Sequence, residues 1–298
     1  MLQIQHVLLL AIAGLVVLHL YGTTTTESFA DSRHVPPFGD LQPWNKAGAL
    51  GTPDDAAEPA TNDDNPGDDP RDLPWIASWT PADRAARRGQ NCAPTYTEDG
   101  PHSTTILSTS PSCEAGMAHT RPGDRIIIPV SVPLAHRDTT IRHELIHIHQ
   151  RRNPEAWATF YRRNWSFVLN SKAPADIPDA LRLARRSNPD TWTTAWACWQ
   201  GRYWPVAVYE SPTTPHLRDA VTVWWDSWRQ AVLTEPPQGW TDFFGTPSQN
   251  EHPHEIAAVM LVADDRTSEA GRRLAAWWES TGQGLWASRE DLSGLEDI

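Results

Sequence analysis

The chain has 298 residues and a formal charge of −12, long enough for one substantial folded domain with appendages, and its negative balance argues against nucleic-acid binding, which needs a basic surface to neutralise phosphates. Three cysteines are too few for a disulfide-built scaffold and lack the repeated CxxC spacing of a structural zinc site. The 16 Trp supply large aromatic side chains, so a compact core can be built despite a modest apolar fraction.

Residues 7–18 form an apolar run broken only by Gly14, and residues 1–22 read as a signal peptide or an uncleaved membrane anchor. The run suits a signal-peptide core and is short for a membrane span, which needs about 17–25 residues. The first six residues hold no Lys or Arg, and no A-x-A-like cleavage site follows, so both readings stand open. Either one predicts a membrane-anchored (single-pass) or secreted protein with its folded domain on the non-cytosolic side. Residues 23–72 are rich in Thr, Pro, Gly, Asp and Ala, and residues 53–72 carry eight acids against Arg71 alone. Such a segment buries too little apolar surface to offset its ordering entropy, which predicts a disordered acidic stalk.

The folded domain is expected over residues 73–281. A helix over 81–88 has Thr80 as its cap and Pro81 at its first position. Cys92 and Cys113 flank a Pro/Thr/Ser-rich stretch and would pair if the domain matures outside the cytosol. Residues 104–108 and 125–132 read as strands, the second preceded by the turn signal Pro122-Gly123-Asp124. A helix over 139–150 follows, and Asn153-Pro154 stops it and starts the next, 154–169, with Trp157, Tyr161, Trp165 and Val168 on one stripe. A shorter helix is expected over 176–186, then a hairpin over 196–209 turning at Gln200-Gly201. Thr214 and Pro215 then start a helix on which Val221, Trp224, Trp225, Trp228 and Val232 fall at helical spacing. Helices over 253–263 and 268–280 close the domain, and residues 282–298 read as a flexible acidic tail. The fold class is α+β: a small β-sheet packed on a central helix, with a mostly helical Trp-rich remainder whose aromatics pack a core. Cys198, between aromatic neighbours, reads as a buried thiol.

The chemistry lies in His143-Glu144-Leu145-Ile146-His147. Four residues along a helix is just over one turn, so both imidazoles project from one face and can share a metal. Zinc accepts His nitrogens at about 2.0–2.1 Å and keeps one position open for water in catalytic sites. Glu144, beside the first ligand, is placed to take a proton from that water. The competing reading is a helix with two histidines that bind nothing. A third ligand is sought downstream: six residues after His147 stands Asn153, and Glu155 heads a separate helix. The segment Glu251-His252-Pro253-His254-Glu255 gathers four polar side chains at the start of a helix. Glu255 in its first turn, where the helix dipole favours an anion, is the chosen ligand. His254 is the alternative, and Glu251 or His252 would support a ligand imidazole from behind. Otherwise the segment is an acidic capping cluster. His149 points to another face and reads as a surface residue. Arg142, Arg151 and Arg152 are expected to solvate the helix end, where positive charge is favourable, the alternative being a pair with a substrate carboxylate. Tyr203, Tyr209 and His119 are candidate donors to an oxyanion.

The HELIH helix running into His149-Gln150-Arg151, together with the distant His-Pro-His-Glu-Ile-Ala-Ala segment, resembles the gluzincin side of the zincin metallopeptidases. More narrowly it is similar to metallopeptidases of large DNA viruses and single-celled eukaryotes. Met117-Ala118-His119-Thr120-Arg121 and Asn188-Pro189-Asp190 belong to the same likeness, which covers about residues 116–262. It implies a zincin-like fold, one catalytic Zn2+ held by His143, His147 and Glu255, and Glu144 as base. It also implies an extended peptide substrate paired with the strand over 125–132. The expected function is hydrolysis of peptide bonds in a peptide or protein substrate, with the membrane as a partner through an uncleaved N-terminal segment. Two readings compete: an inactive, metal-stabilised binding module with an aromatic surface, and a zinc amidase acting on a non-protein polymer.

Overall fold

The computed structural model describes residues 69–211 and 213–282. The apolar segment, nearly all of the acidic stalk and the tail after Gly282 lie outside the described residues. Among these, no helix is long and apolar enough to cross a membrane. The last four stalk residues belong to the folded part, which corrects the boundary at residue 73. Asp72 is fully buried and pairs with Arg121 at 3.0 Å and with Arg125, while Asp69 accepts from Arg125 at 2.7 Å. Two buried guanidiniums need carboxylates, and the acidic segment supplies them.

Two short helices come first, α1 (Leu73–Ile76) and α2 (Pro81–Arg87). Thr80 and Asp83 close a reciprocal capping box on α2, as the cap signal predicts. The first sheet holds β1 (Pro94–Gly100), β2 (Thr104–Thr109), β3 (His119–Arg121) and β4 (Arg125–Pro129) in the order β1-β2-β4-β3. β2 and β4 run parallel, and the other pairs are antiparallel. Strand period two decides its packing. Ile106, Ile126 and Ile128 meet Leu145 and Ile148 of α3 (Leu134–Arg152), whereas Leu107 and Ile127 face Cys92 and Cys113 on the other side. Those cysteines form a disulfide, and Cys198 is free and buried. Helix α3 starts five residues before the expected Thr139, with Pro133 ahead of its first turn.

Helix α4 (Pro154–Phe160) is shorter than expected. Residues Tyr161–Trp165 make one π turn, and Ser166 at φ 58° reverses the chain into β5 (Phe167–Asn170). Trp157, Tyr161 and Trp165 are buried as a stripe, but Val168 stands on the strand at 41 % exposure. Helix α5 (Asp179–Ala184) occupies the middle of the span expected over 176–186. The hairpin of β6 (Trp196–Trp199) and β7 (Tyr203–Tyr209) turns at Gln200 and Gly201, both left-handed at φ 53° and 65°.

The main departure follows. Residues 214–232 hold no helix: β8 (Ala220–Asp226) and β9 (Ala231–Leu233) form a hairpin, completing an antiparallel five-stranded meander β5-β6-β7-β8-β9. The Trp-rich remainder is therefore built on a sheet as well as on helices. Val223 and Trp225 pack on one face with Val206, Val208 and Leu181, while Trp224 turns to Trp240 on the other. An apolar run of this length fits both periods. Its β-branched and aromatic composition suits a strand, and pairing with β7 decides between the two. Helices α6 (Trp240–Phe244), α7 (Pro253–Ala263) and α8 (Glu269–Trp277) follow, and a π turn over Trp278–Gly282 ends the described residues. The largest core joins Trp157, Phe160, Trp165, Trp199, Trp240 and Ile256, and it seats α7 against α3.

Candidate metal centre

Two helices with unrelated sequence positions build the site. Apolar Leu145, Ile146 and Ile148 seat α3 in the core, and this turns His143 and His147 to the side facing the first turn of α7. There His252 caps the helix, its Nδ1 accepting from the His254 N–H at 3.1 Å, and Pro253 takes the first position. Glu255 then projects from the third position. His143 Nε2 and His147 Nε2 stand 3.0 Å apart, and Glu255 Oε2 lies 3.5 and 3.3 Å from them. Ligands at 2.0–2.1 Å from a tetrahedral ion are separated by about 3.4 Å. The three atoms therefore already sit close to one face of a tetrahedron. His147 and Glu255 are buried, while the His143 side chain is 18 % exposed and marks the open side.

The supports are other residues than those expected. Gln150 Nε2 donates to Tyr161 Oη at 3.2 Å and to the His254 carbonyl at 3.0 Å, which fixes the orientation of its amide. Its Oε1 then accepts from His147 Nδ1 at 2.8 Å, leaving the Nε2 lone pair for a metal. Asn188 donates to Glu255 Oε1 at 2.7 Å. His252, expected behind a ligand imidazole, donates from Nε2 to the Thr194 carbonyl instead. His254 is buried against Tyr161 and stands outside the ligand cluster. Glu251 supports no imidazole; burial and then the Glu255 charge push its carboxyl up to about 7.

Glu144 is 3 % exposed, and its Oε2 has no hydrogen-bond partner among the described residues. Burial, and then the charges of Asp190 and Glu255, hold its carboxyl well above the ordinary range. Glu144, His147 and Asp190 each bring a ligand-type atom within 4.8 Å of the others. Burial works against a charged His147, yet Glu255 and Asp190 overcome it and raise the imidazole to about 10. Burial likewise opposes ionised Glu255, and the two imidazoles reverse that, holding it well below the ordinary range.

Several other expectations are corrected. His149 is fully buried, its Nδ1 accepting from Trp157 Nε1 at 2.9 Å. A core of indoles needs acceptors, and α3 supplies one from its inner face. Arg151 does not solvate the helix end: it donates to the Arg121 carbonyl at 2.9 Å and to Thr120 Oγ1 at 2.5 Å. Arg152 pairs with Asp124, and Arg142 stays at the surface near Thr139. The strand over 125–132 ends at Pro129 and packs on α3, but it lies between β2 and β3 and is paired on both edges over Arg125–Ile127. Along those residues it offers a substrate no free edge. Thr120 on edge strand β3 already gives its N–H to Asp190 at 2.6 Å. Two of the oxyanion candidates are committed elsewhere, and the third is packed through its ring on the second sheet. His119 contacts the Met117 carbonyl and Arg121, Tyr209 donates to Asp83, and Tyr203 stacks on Trp199 under Arg202.

Composition and spacing carry no signal for Gln150, Asn188 or Asp190, because their roles depend on contacts up to 104 residues away. All three stand in segments picked out by the likeness to zincin peptidases. No family model matches the chain, and neither a curated protein nor a solved structure matches it.

Proposed function

We propose that this chain is a zinc-dependent hydrolase of peptide bonds, zincin-like in how one helix carries two imidazoles and the base. The reading is carried by one conjunction. Three ligand atoms stand at tetrahedral spacing, and beside them lies a buried carboxylate oxygen without a partner among the described residues. His143, His147 and Glu255 would hold the ion, which as a Lewis acid lowers the pKa of water toward 7. Gln150 keeps His147 in the tautomer that can bind, and Asn188 turns one oxygen of Glu255 toward the centre. Glu144 receives a proton at Oε2, and its raised pKa brings it nearer the working pH of a general base. An inert binding module would gain nothing from a buried, unpaired carboxylate, which costs stability. The proposal extends to location: the domain is held or exported on the non-cytosolic side through residues 1–22. The buried Cys92–Cys113 disulfide supports an oxidising compartment.

The test combines metal analysis with digestion of an unbiased peptide library. Zinc at one equivalent and cleavage of the library are expected for the native chain. Glu144→Gln should keep the metal while hydrolysis falls by about 10²–10⁴-fold. Glu255→Ala should lose both, since two neutral imidazoles alone make a poor site, whereas His254→Ala should keep the metal. Zinc lost with His254→Ala and retained with Glu255→Ala would make the site a three-histidine one. A zinc-loaded chain that leaves every peptide intact would favour an amide in a non-protein polymer.

A further inference from the structure

The loop between α5 and β6 passes the metal centre with three residues, each tied to a different layer. Ser187 is fully buried and held by its backbone: its N–H donates to Asp83 Oδ1 at 2.9 Å, and its carbonyl accepts from Arg87 Nη2 at 2.8 Å. Asp83 and Arg87 are joined at 2.8 Å, and Arg87 reaches Glu114 at 2.7 Å, all inside the molecule. Asp190 ties the far end of the loop to the first sheet, its Oδ1 accepting from the N–H and the hydroxyl of Thr120, both at 2.6 Å. Asn188 lies between these anchors. Its Oδ1 accepts from the Asp190 N–H at 2.8 Å, and its Nδ2 donates to Glu255 Oε1 at 2.7 Å. Pro189 between them fixes φ and adds no competing donor.

An amide committed at both ends has one orientation. A carboxylate with one oxygen claimed presents the other, and here the free oxygen is the Oε2 that stands 3.3 and 3.5 Å from the two imidazoles. We infer that Asn188 is a positioning residue of the metal centre: it selects which oxygen and which rotamer of Glu255 face the ion, while Ser187 and Asp190 hold it in place. The inference rests on the metal-centre reading proposed above. It differs in kind from the His147–Gln150 contact, because Gln150 lies on the same helix as its imidazole. Asn188 couples two otherwise separate layers of the molecule to a ligand 67 residues away.

The full chain is titrated with zinc against a chromophoric chelator, and with cobalt(II) for its visible spectrum. The native protein should bind one equivalent. Asn188→Ala should weaken zinc by about 10–100-fold, the usual effect of removing a partner behind a ligand, and should shift the cobalt bands, which a merely structural role would not do. Asn188→Asp is isosteric and places a second carboxylate beside Glu255, so it should weaken zinc at least as much. Pro189→Ala, which loosens the loop and spares the amide, should stay within about twofold of the native affinity, well below the loss from removing the ligand's partner. Near-ultraviolet circular dichroism of the metal-free proteins checks that the Trp-rich core is intact. Native affinity and an unchanged cobalt spectrum in both Asn188 variants would overturn the inference and leave the centre standing. Pro189→Ala weakening zinc as much as Asn188→Ala would overturn it too, since loop order and not the amide would then matter. A native chain that takes up neither metal overturns the centre and the inference together.

Discussion

Arg87 gathers several buried contacts in the interior away from the candidate metal site. It bonds Asp83, Glu114 and the Ser187 carbonyl, and its guanidinium lies 4.8 Å from the Trp79 ring. Burial alone would raise the Asp83 and Glu114 carboxyls, and the Arg87 charge reverses that and holds both below their ordinary values. Burial also depresses three histidines, His119, His149 and His252, each to about 4. All five groups act with the same sign. Each binds a proton more readily in the unfolded chain, so stability rises with pH through the range in which the unfolded form titrates. The urea midpoint should therefore fall as pH drops below about 6.5, through the histidines, and fall more steeply below about 4, through the carboxyls. Glu114→Gln should flatten only the lower limb. The raised Glu144 and Glu251 carboxyls oppose the histidines between about 4.5 and 7, so the deciding limb is the one below about 4, and a limb there that Glu114→Gln leaves unchanged would mean that Glu114 is not paired as described.

At the scale of elements, β8 separates two readings of one stretch of sequence. Helical spacing puts Trp225 and Trp228 on a shared face. On the strand and its turn they part: Trp225 is 3 % exposed and Trp228 is 72 % exposed. Trp225→Ala should cost about 3–5 kcal/mol in denaturant unfolding. Trp228→Ala, which uncovers only Arg202, should cost less than about 1 kcal/mol. Equal losses would restore the helical face. The contrast explains what can be read beforehand. Helices α2, α3 and α7 announce themselves through Thr80, the HELIH pattern and Pro253, because caps and ligand spacing are local. The β6–β7 hairpin does so through Gln200-Gly201. β8 lacks such a signal: its seven residues satisfy both periods, and only pairing with β7 over the length of the strand decides between them. The same limit applies in the site. His143, Glu144 and His147 share one helix turn, and Glu255 has a cap in front of it, so all four are legible in the sequence. Asn188 and Asp190 act through Glu255 and Thr120, partners that only the tertiary fold brings near.

Across the described residues, helix α3 packs on the first sheet through Leu145 and Ile148 and on the aromatic core through Ile146, and the Cys92–Cys113 bond ties the outer face of the first sheet to the turn that carries Glu114. The bond closes a loop with a sequence separation of 21, for which chain-entropy arguments give about 3 kcal/mol of stabilisation. Cys92→Ser/Cys113→Ser together should lower stability by that order, and reductant should act on the native chain but not on the double variant. Cys198 is the remaining cysteine, 6 % exposed on β6, with its thiol pushed up to about 11 by burial. Alkylating reagents attack the thiolate, so this sulfur is silent in the closed state and becomes ordinary once the meander opens. The chain thus carries a natural stopwatch: trapping of Cys198 under native conditions counts the openings of the second sheet. If the two sheets separate as one event, zinc held at the proposed centre should slow that trapping, although the ion and the thiol never meet.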